Sequence, residues 1–75
     1  MNKARRQQLS KWLAEIEEIK SELETICSDE EYSFDNMPEN LQSSQRGIDS
    51  EEAIDQMDEA ISLIEEAIGI IEEIV

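Results

Sequence analysis

Apolar residues recur every three or four positions along both halves of this chain. In the first half they fall at Leu9, Trp12, Ile16, Ile19, Leu23 and Ile26, with Leu13 widening the stripe. That spacing lines one side of an α-helix. Glu, Lys, Leu and Ala, all good helix formers, fill the positions between them. No Pro or Gly interrupts the segment, and Tyr32 and Phe34 still add apolar surface, so a first helix is predicted over about 2–35. In the second half, four seven-residue units follow one another: EEAIDQM, DEAISLI, EEAIGII and the truncated EEIV, from Glu51, Asp58, Glu65 and Glu72. A strict seven-residue repeat keeps one stripe turned toward a partner helix, which is packing of the coiled-coil type. The stripe is Ile54, Met57, Ile61, Ile64, Ile68, Ile71 and Val75. Beside it run Ala53, Ala60, Ala67 and Ile74, and beyond those lie Leu63 and Ile70. Three apolar columns are wider than one neighbouring helix covers.

Between the halves, residues 36–47 (NMPENLQSSQRG) read as an elbow. Pro38 lacks a backbone donor and pushes Met37 out of the α region, which ends the first helix. It is also suited to opening a single turn, capped by Asn36, with Leu41 tucked inward. Two starts are open for the second helix. Ser43 or Ser44 serves an early one; Asp49 with Glu52 three residues on resembles a capping box. The stripe begins only at Ala53 and Ile54, so the expectation is a second helix over about 48–75, well packed from about 50.

The predicted architecture is all-α, a single domain over 1–75 folded as an antiparallel helical hairpin. Seventy-five residues lie near the size at which one core needs a staple or a partner. The single Cys27 forms no internal disulfide, and the chain has no histidine for zinc. Self-association is the remaining route, and two hairpins making a homodimeric four-helix bundle is the simplest form. The interface is expected from Leu9, Trp12, Ile16, Ile19 and Leu23 of the first helix. From the second it takes Ile54, Met57, Ile61, Leu63, Ile64, Ile68, Ile70 and Ile71. The hairpin also brings Lys3, Arg5 and Arg6 toward Glu65, Glu66, Glu72 and Glu73.

Charge changes the picture from architecture to partners. The net charge is −14, and it is unevenly placed. Residues 1–27 hold five acids and five bases; residues 28–75 hold fifteen acids and only Arg46. Such a surface repels phosphate, so neither nucleic acid nor an anionic membrane is a direct partner, and basic proteins are favoured. The expected acidic face is Glu51, Glu52, Asp55, Asp58, Glu59, Glu65, Glu66, Glu72 and Glu73. One reading makes it an imitation of a polyanion that occupies a nucleic-acid groove on another protein. The other makes it a solvated face that keeps the bundle soluble. Solvated helices ordinarily mix lysine with glutamate, and here no lysine or arginine follows Arg46.

No cofactor or specific metal site is expected. A bundle di-iron site needs Glu-x-x-His, and the acids Asp29, Glu30, Glu31 and Asp35 lack EF-hand spacing. No enzyme activity is expected either, since two helices offer no dry cleft for paired carboxylates and Cys27 has no histidine base. With no apolar run long enough for a membrane span and no secretory leader, the expected location is the cytoplasm.

The elbow is a second candidate surface, with Asn36, Glu39, Asn40, Gln42 and Arg46 as presented groups. Its alternative role is structural, with Phe34, Met37 and Leu41 plugging the bundle end. The opening MNKARRQQL, the DNMPENLQSSQRG elbow and the DEAISLIEEAI tail resemble small, uncharacterised proteins of phages and prophages of Gram-positive bacteria. That resemblance spans essentially the whole chain and implies a small phage accessory protein. By analogy with small acidic phage proteins, it implies an inhibitor that binds a host or defence protein. The alternative is a structural or assembly bundle without inhibitory role. RNA-binding hairpin dimers of plasmid copy control share the outline but need a basic face.

Overall fold

Asn2 starts the first helix. Its backbone is extended, and its Oδ1 accepts the Arg5 backbone N–H at 2.8 Å, satisfying one of the orphan donors of a helix N-terminus. In the computed structural model, which describes residues 1–75, α1 then runs unbroken over Lys3–Asp35. Backbone N–H groups of Asn36 and Met37 turn back onto the carbonyls of Tyr32 and Phe34 at 3.1 and 3.0 Å, and Pro38 follows. One turn, α2, spans Glu39–Gln42, and α3 spans Gln45–Ile74. The chain is all-helical: α1 and α3 lie antiparallel as a hairpin in a rod of 58 × 14 × 13 Å.

Three local expectations need correction. Asn36 does not cap α2; its Nδ2 donates to the Tyr32 carbonyl at 2.7 Å, closing α1 instead. Leu41 is not tucked inward but is 37% exposed. The second long helix starts at Gln45, three residues before the expected 48, so Asp49 and Glu52 are interior helix positions and form no capping box. Asp49 instead accepts a hydrogen bond from Gln45 Nε2 at 2.7 Å. Ser44, its backbone extended, is the N-cap, the earlier of the two starts left open, and Gly47 makes room for it. Lacking a side chain, it lets the first turn of α3 lie directly on the Leu41 and Gln42 carbonyls, where a Cβ would stand 2.1 Å from the Gln42 oxygen.

The packing stripe of α1 is also rotated from the expected one. Leu9, Leu13, Ile16, Lys20, Leu23, Cys27, Glu30 and Phe34 are the shielded positions, alternating steps of four and three. Trp12, Ile19 and Ile26 stay outside at 53%, 56% and 57% exposure. On α3, Ile54, Met57, Ile61, Ile64, Ile68 and Ile71 face α1 as expected, with Ile68 the deepest; Val75, expected to end that stripe, lies past the helix and is exposed, as are Leu63 and Ile70. Two helices alone leave an open side along their whole length. Cys27 and Ile68 are accordingly the only buried apolar side chains.

Candidate protein-binding surface

Seven residues make almost two helical turns, so residues seven apart stand in one column. On α1, the column Ser10, Glu17, Glu24, Glu31 borders the packing stripe on one side, and Trp12, Ile19, Ile26 borders it on the other. On α3, Glu51, Asp58, Glu65, Glu72 borders one side, and Ala53, Ala60, Ala67, Ile74 the other.

Polar contacts fix which borders meet. Lys20 Nζ bridges Glu24 at 3.4 Å and Glu65 at 3.0 Å, and these are the ion pairs of the chain. Cys27 Sγ donates to Asp58 at 3.4 Å and to Glu31 at 3.7 Å. Both acidic columns therefore flank the same side of the hairpin. The Trp12, Ile19, Ile26 column and the alanine column flank the opposite side, with Leu63 and Ile70 next to the alanines. Glu52, Glu59, Glu66 and Glu73 point away from α1 altogether. One side of the rod is acidic and the other apolar.

Each expected acidic-face residue, Glu51, Glu52, Asp55, Asp58, Glu59, Glu65, Glu66, Glu72 and Glu73, is exposed. They are not equivalent. Asp58 and Glu65 stand at the hairpin edge and bond to α1, whereas Glu52, Glu59, Glu66 and Glu73 form an outward row with a repeat of about 10.5 Å.

The expected pairing of the N-terminal bases with α3 acids is not made. Glu65 pairs with Lys20, and ten residues in opposite directions from that pair lead to Ser10 and Val75. The end of α3 thus lies level with Ser10. Lys3, Arg5 and Arg6 project past it, all exposed.

Lys20 is held charged: its hydrogen bond to Glu65 raises its pKa, with Glu24 adding to the effect and partial desolvation opposing it. Burial pushes the Cys27 thiol up to about 11, and the neighbouring Asp58 and Glu31 charges reinforce the shift. A thiol held protonated is a poor nucleophile and a poor metal ligand. Its sulfur and the Glu31 and Asp58 carboxylates lie within 4.8 Å of one another, an arrangement the thiol's own hydrogen bonds explain.

The elbow residues divide. Gln42 is half-buried and donates from Nε2 to the Phe34 carbonyl at 3.1 Å, tying α2 to the end of α1; Asn36 is spent on Tyr32. Glu39, Asn40 and Arg46 remain exposed. Arg46 borders a cleft of about 500 Å³ with Glu30, Ser33, Met37, Asp49 and Ser50. Inside it, Ser50 Oγ donates to Glu30 at 2.7 Å. No helix is long and apolar enough to cross a membrane.

Sequence reasoning missed Lys20, Cys27, Glu30 and Ser50 as inter-helix contacts. The signal was available for two of them: Lys20 and Cys27 continue the Leu13 column at steps of seven. Comparison of the chain with protein-family models, with curated proteins and with solved structures gives no match.

Proposed function

We propose that this protein is a non-enzymatic binding module of the phage accessory kind. In this reading two hairpins form a homodimeric four-helix bundle that turns its acidic sides outward. The bundle inhibits a host or defence protein by occupying a basic, nucleic-acid-binding groove on it. The observation that carries this reading is the outward row Glu52, Glu59, Glu66, Glu73. It is fully solvent-facing and regularly spaced, and no lysine or arginine of the chain pairs with it. A purely solubilising face ordinarily intersperses both signs. This one offers a basic groove a continuous field.

The test is capture of partners from host lysate with the wild-type chain and with Glu52, Glu59, Glu66 and Glu73 all reversed to lysine. The reading expects a captured nucleic-acid-handling protein that is released by added DNA and by salt, and is lost with the reversal. Replacing Glu39, Asn40 and Arg46 with alanine is the control. Loss through the elbow variant alone would refute the acidic-face reading. Capture of virion components insensitive to both variants would put an assembly role in its place.

A further inference from the structure

Taking the dimer of the preceding reading as its premise, we infer that the second copy covers the apolar side and runs antiparallel to the first, so that the basic arm of each copy enters the other's elbow cleft. The apolar side holds Trp12, Ile19, Ile26, Leu63 and Ile70, each more than half exposed, around the small alanine column that lets a neighbouring helix approach closely.

Area supports this occupant. The hairpin exposes 5675 Å². A folded monomer of 8.6 kDa exposes about 4,700 Å². The excess of about 1,000 Å² per hairpin is of the size that each partner loses in a stable dimer, about 800 Å².

Charge and register decide the orientation. Ile19 is the centre of its column, and Arg5 and Ser33 stand in that same column, fourteen residues to either side. A two-fold axis passing at Ile19 therefore sets Arg5 of one copy beside Ser33 of the other. Ser33 lines the cleft that also presents Glu30 and Asp49. The arm carrying Lys3, Arg5 and Arg6 contains no acid before Glu15, and the elbow end carries Asp29, Glu30, Glu31, Asp35 and Asp49. An antiparallel pair brings these opposite charges together at both ends. A parallel pair would set arm against arm and acid against acid, which is unfavourable.

Disulfide trapping tests the arrangement. With Cys27 replaced by alanine, the single variants Arg5→Cys and Ser33→Cys are oxidised separately and as an equal mixture. The mixture is expected to give a covalent dimer, and each variant alone is not, because like positions sit about 42 Å apart across the axis. Ile19→Cys, at the axis, is expected to trap itself efficiently. Arg5→Glu should weaken dimerisation by about tenfold through the two lost charge contacts. A dimer by light scattering that traps Arg5→Cys with itself would overturn the antiparallel arrangement while leaving the dimer standing. So would a dimer unaffected by Ile19→Asp. A monomer at micromolar concentration would remove the premise itself.

Discussion

Replacing Gly47 with alanine isolates the close contact of α2 with the first turn of α3. Alanine is ordinarily the better helix residue by about 1 kcal/mol, and Gly47 adopts no positive φ, so backbone conformation does not oppose the change. Space does. The new Cβ would lie 2.1 Å from the Gln42 carbonyl oxygen, 2.5 Å from its carbon and 2.6 Å from the Leu41 oxygen, where 3.4 Å is ordinary contact. All three are backbone atoms, so the α2 turn must retreat by about 1 Å. That movement pulls on the Gln42 bond to Phe34. Overpacking of this kind costs about 1–3 kcal/mol and a lost hydrogen bond about 1 kcal/mol more. After the gain in helix propensity, a net loss of about 2 kcal/mol remains. At about 4–8 °C per kcal/mol for a domain of this size, Tm should fall by roughly 8–16 °C. Gly69 is the internal control: nothing lies within 4 Å of its Cβ position, and the same substitution there should raise Tm by about 4–8 °C. Circular dichroism melts at one fixed protein concentration measure both, since association makes the midpoint concentration-dependent. A Gly47→Ala protein melting as high as wild type would show that the α2–α3 contact does not bear on stability.

Other outcomes follow from the same contacts. Cys27 holds its proton in the folded state up to about 11, above its unfolded value, so the folded state binds more protons between them. Melting temperature should therefore fall as pH rises from about 9 to 11, and alkylation of the native thiol should show a midpoint near 11. Lys20 is shifted upward as well, so its contribution is complete below its unfolded pKa and is lost on going above it. The Cys27→Ala variant should keep a decline only at that higher range. Ile64→Asp places a charge on the α1-facing stripe without a partner and should abolish cooperative melting, whereas Glu66→Gln on the outward row should leave Tm within a few degrees.

Much of the hairpin is legible because periodicity reports it directly. The seven-residue units of α3 name their packing residues, and Asn2, Pro38 and the absence of Gly from residues 1–46 bound α1. What periodicity does not fix is rotation when more than two columns are apolar. On α1, the columns of Leu9, Trp12 and Leu13 are all candidates, and any adjacent pair makes an acceptable stripe. The choice is made by polar residues. Lys20 and Cys27 sit in the Leu13 column, and each finds a carboxylate across the groove, at Glu65 and Asp58. The column of Trp12, Ile19 and Ile26 offers only apolar groups, which no residue of the same hairpin is placed to cover. The early start of α3 is legible in Ser44 but is not preferred, because the apolar stripe begins only at Ala53. A glycine near a predicted helix start reads as a breaker, and its use for a close backbone approach depends on α2, whose position only the tertiary structure supplies.

The placement of the elbow groups follows from the same economy of donors. The Tyr32 and Phe34 carbonyls at the end of α1 accept the Asn36 and Met37 backbone N–H groups, and the side-chain amides of Asn36 and Gln42 donate to the same two oxygens. Groups tied to the backbone in this way are poorly free to meet a partner, which leaves Glu39, Asn40 and Arg46 as the exposed groups of the elbow. Of these, Arg46 borders the cleft that the antiparallel dimer would fill with a second arginine. Arg46 is ion-paired with neither Glu30 nor Asp49, so it would meet the incoming arginine as a like charge. Replacing Arg46 with glutamine should consequently tighten the dimer, by removing that repulsion, while Arg5→Glu loosens it. A sedimentation measurement on the two variants in parallel reads this directly. If Arg46→Gln weakens the dimer as Arg5→Glu does, Arg46 is itself an interface donor, and the acids of the cleft are its own rather than the arm's.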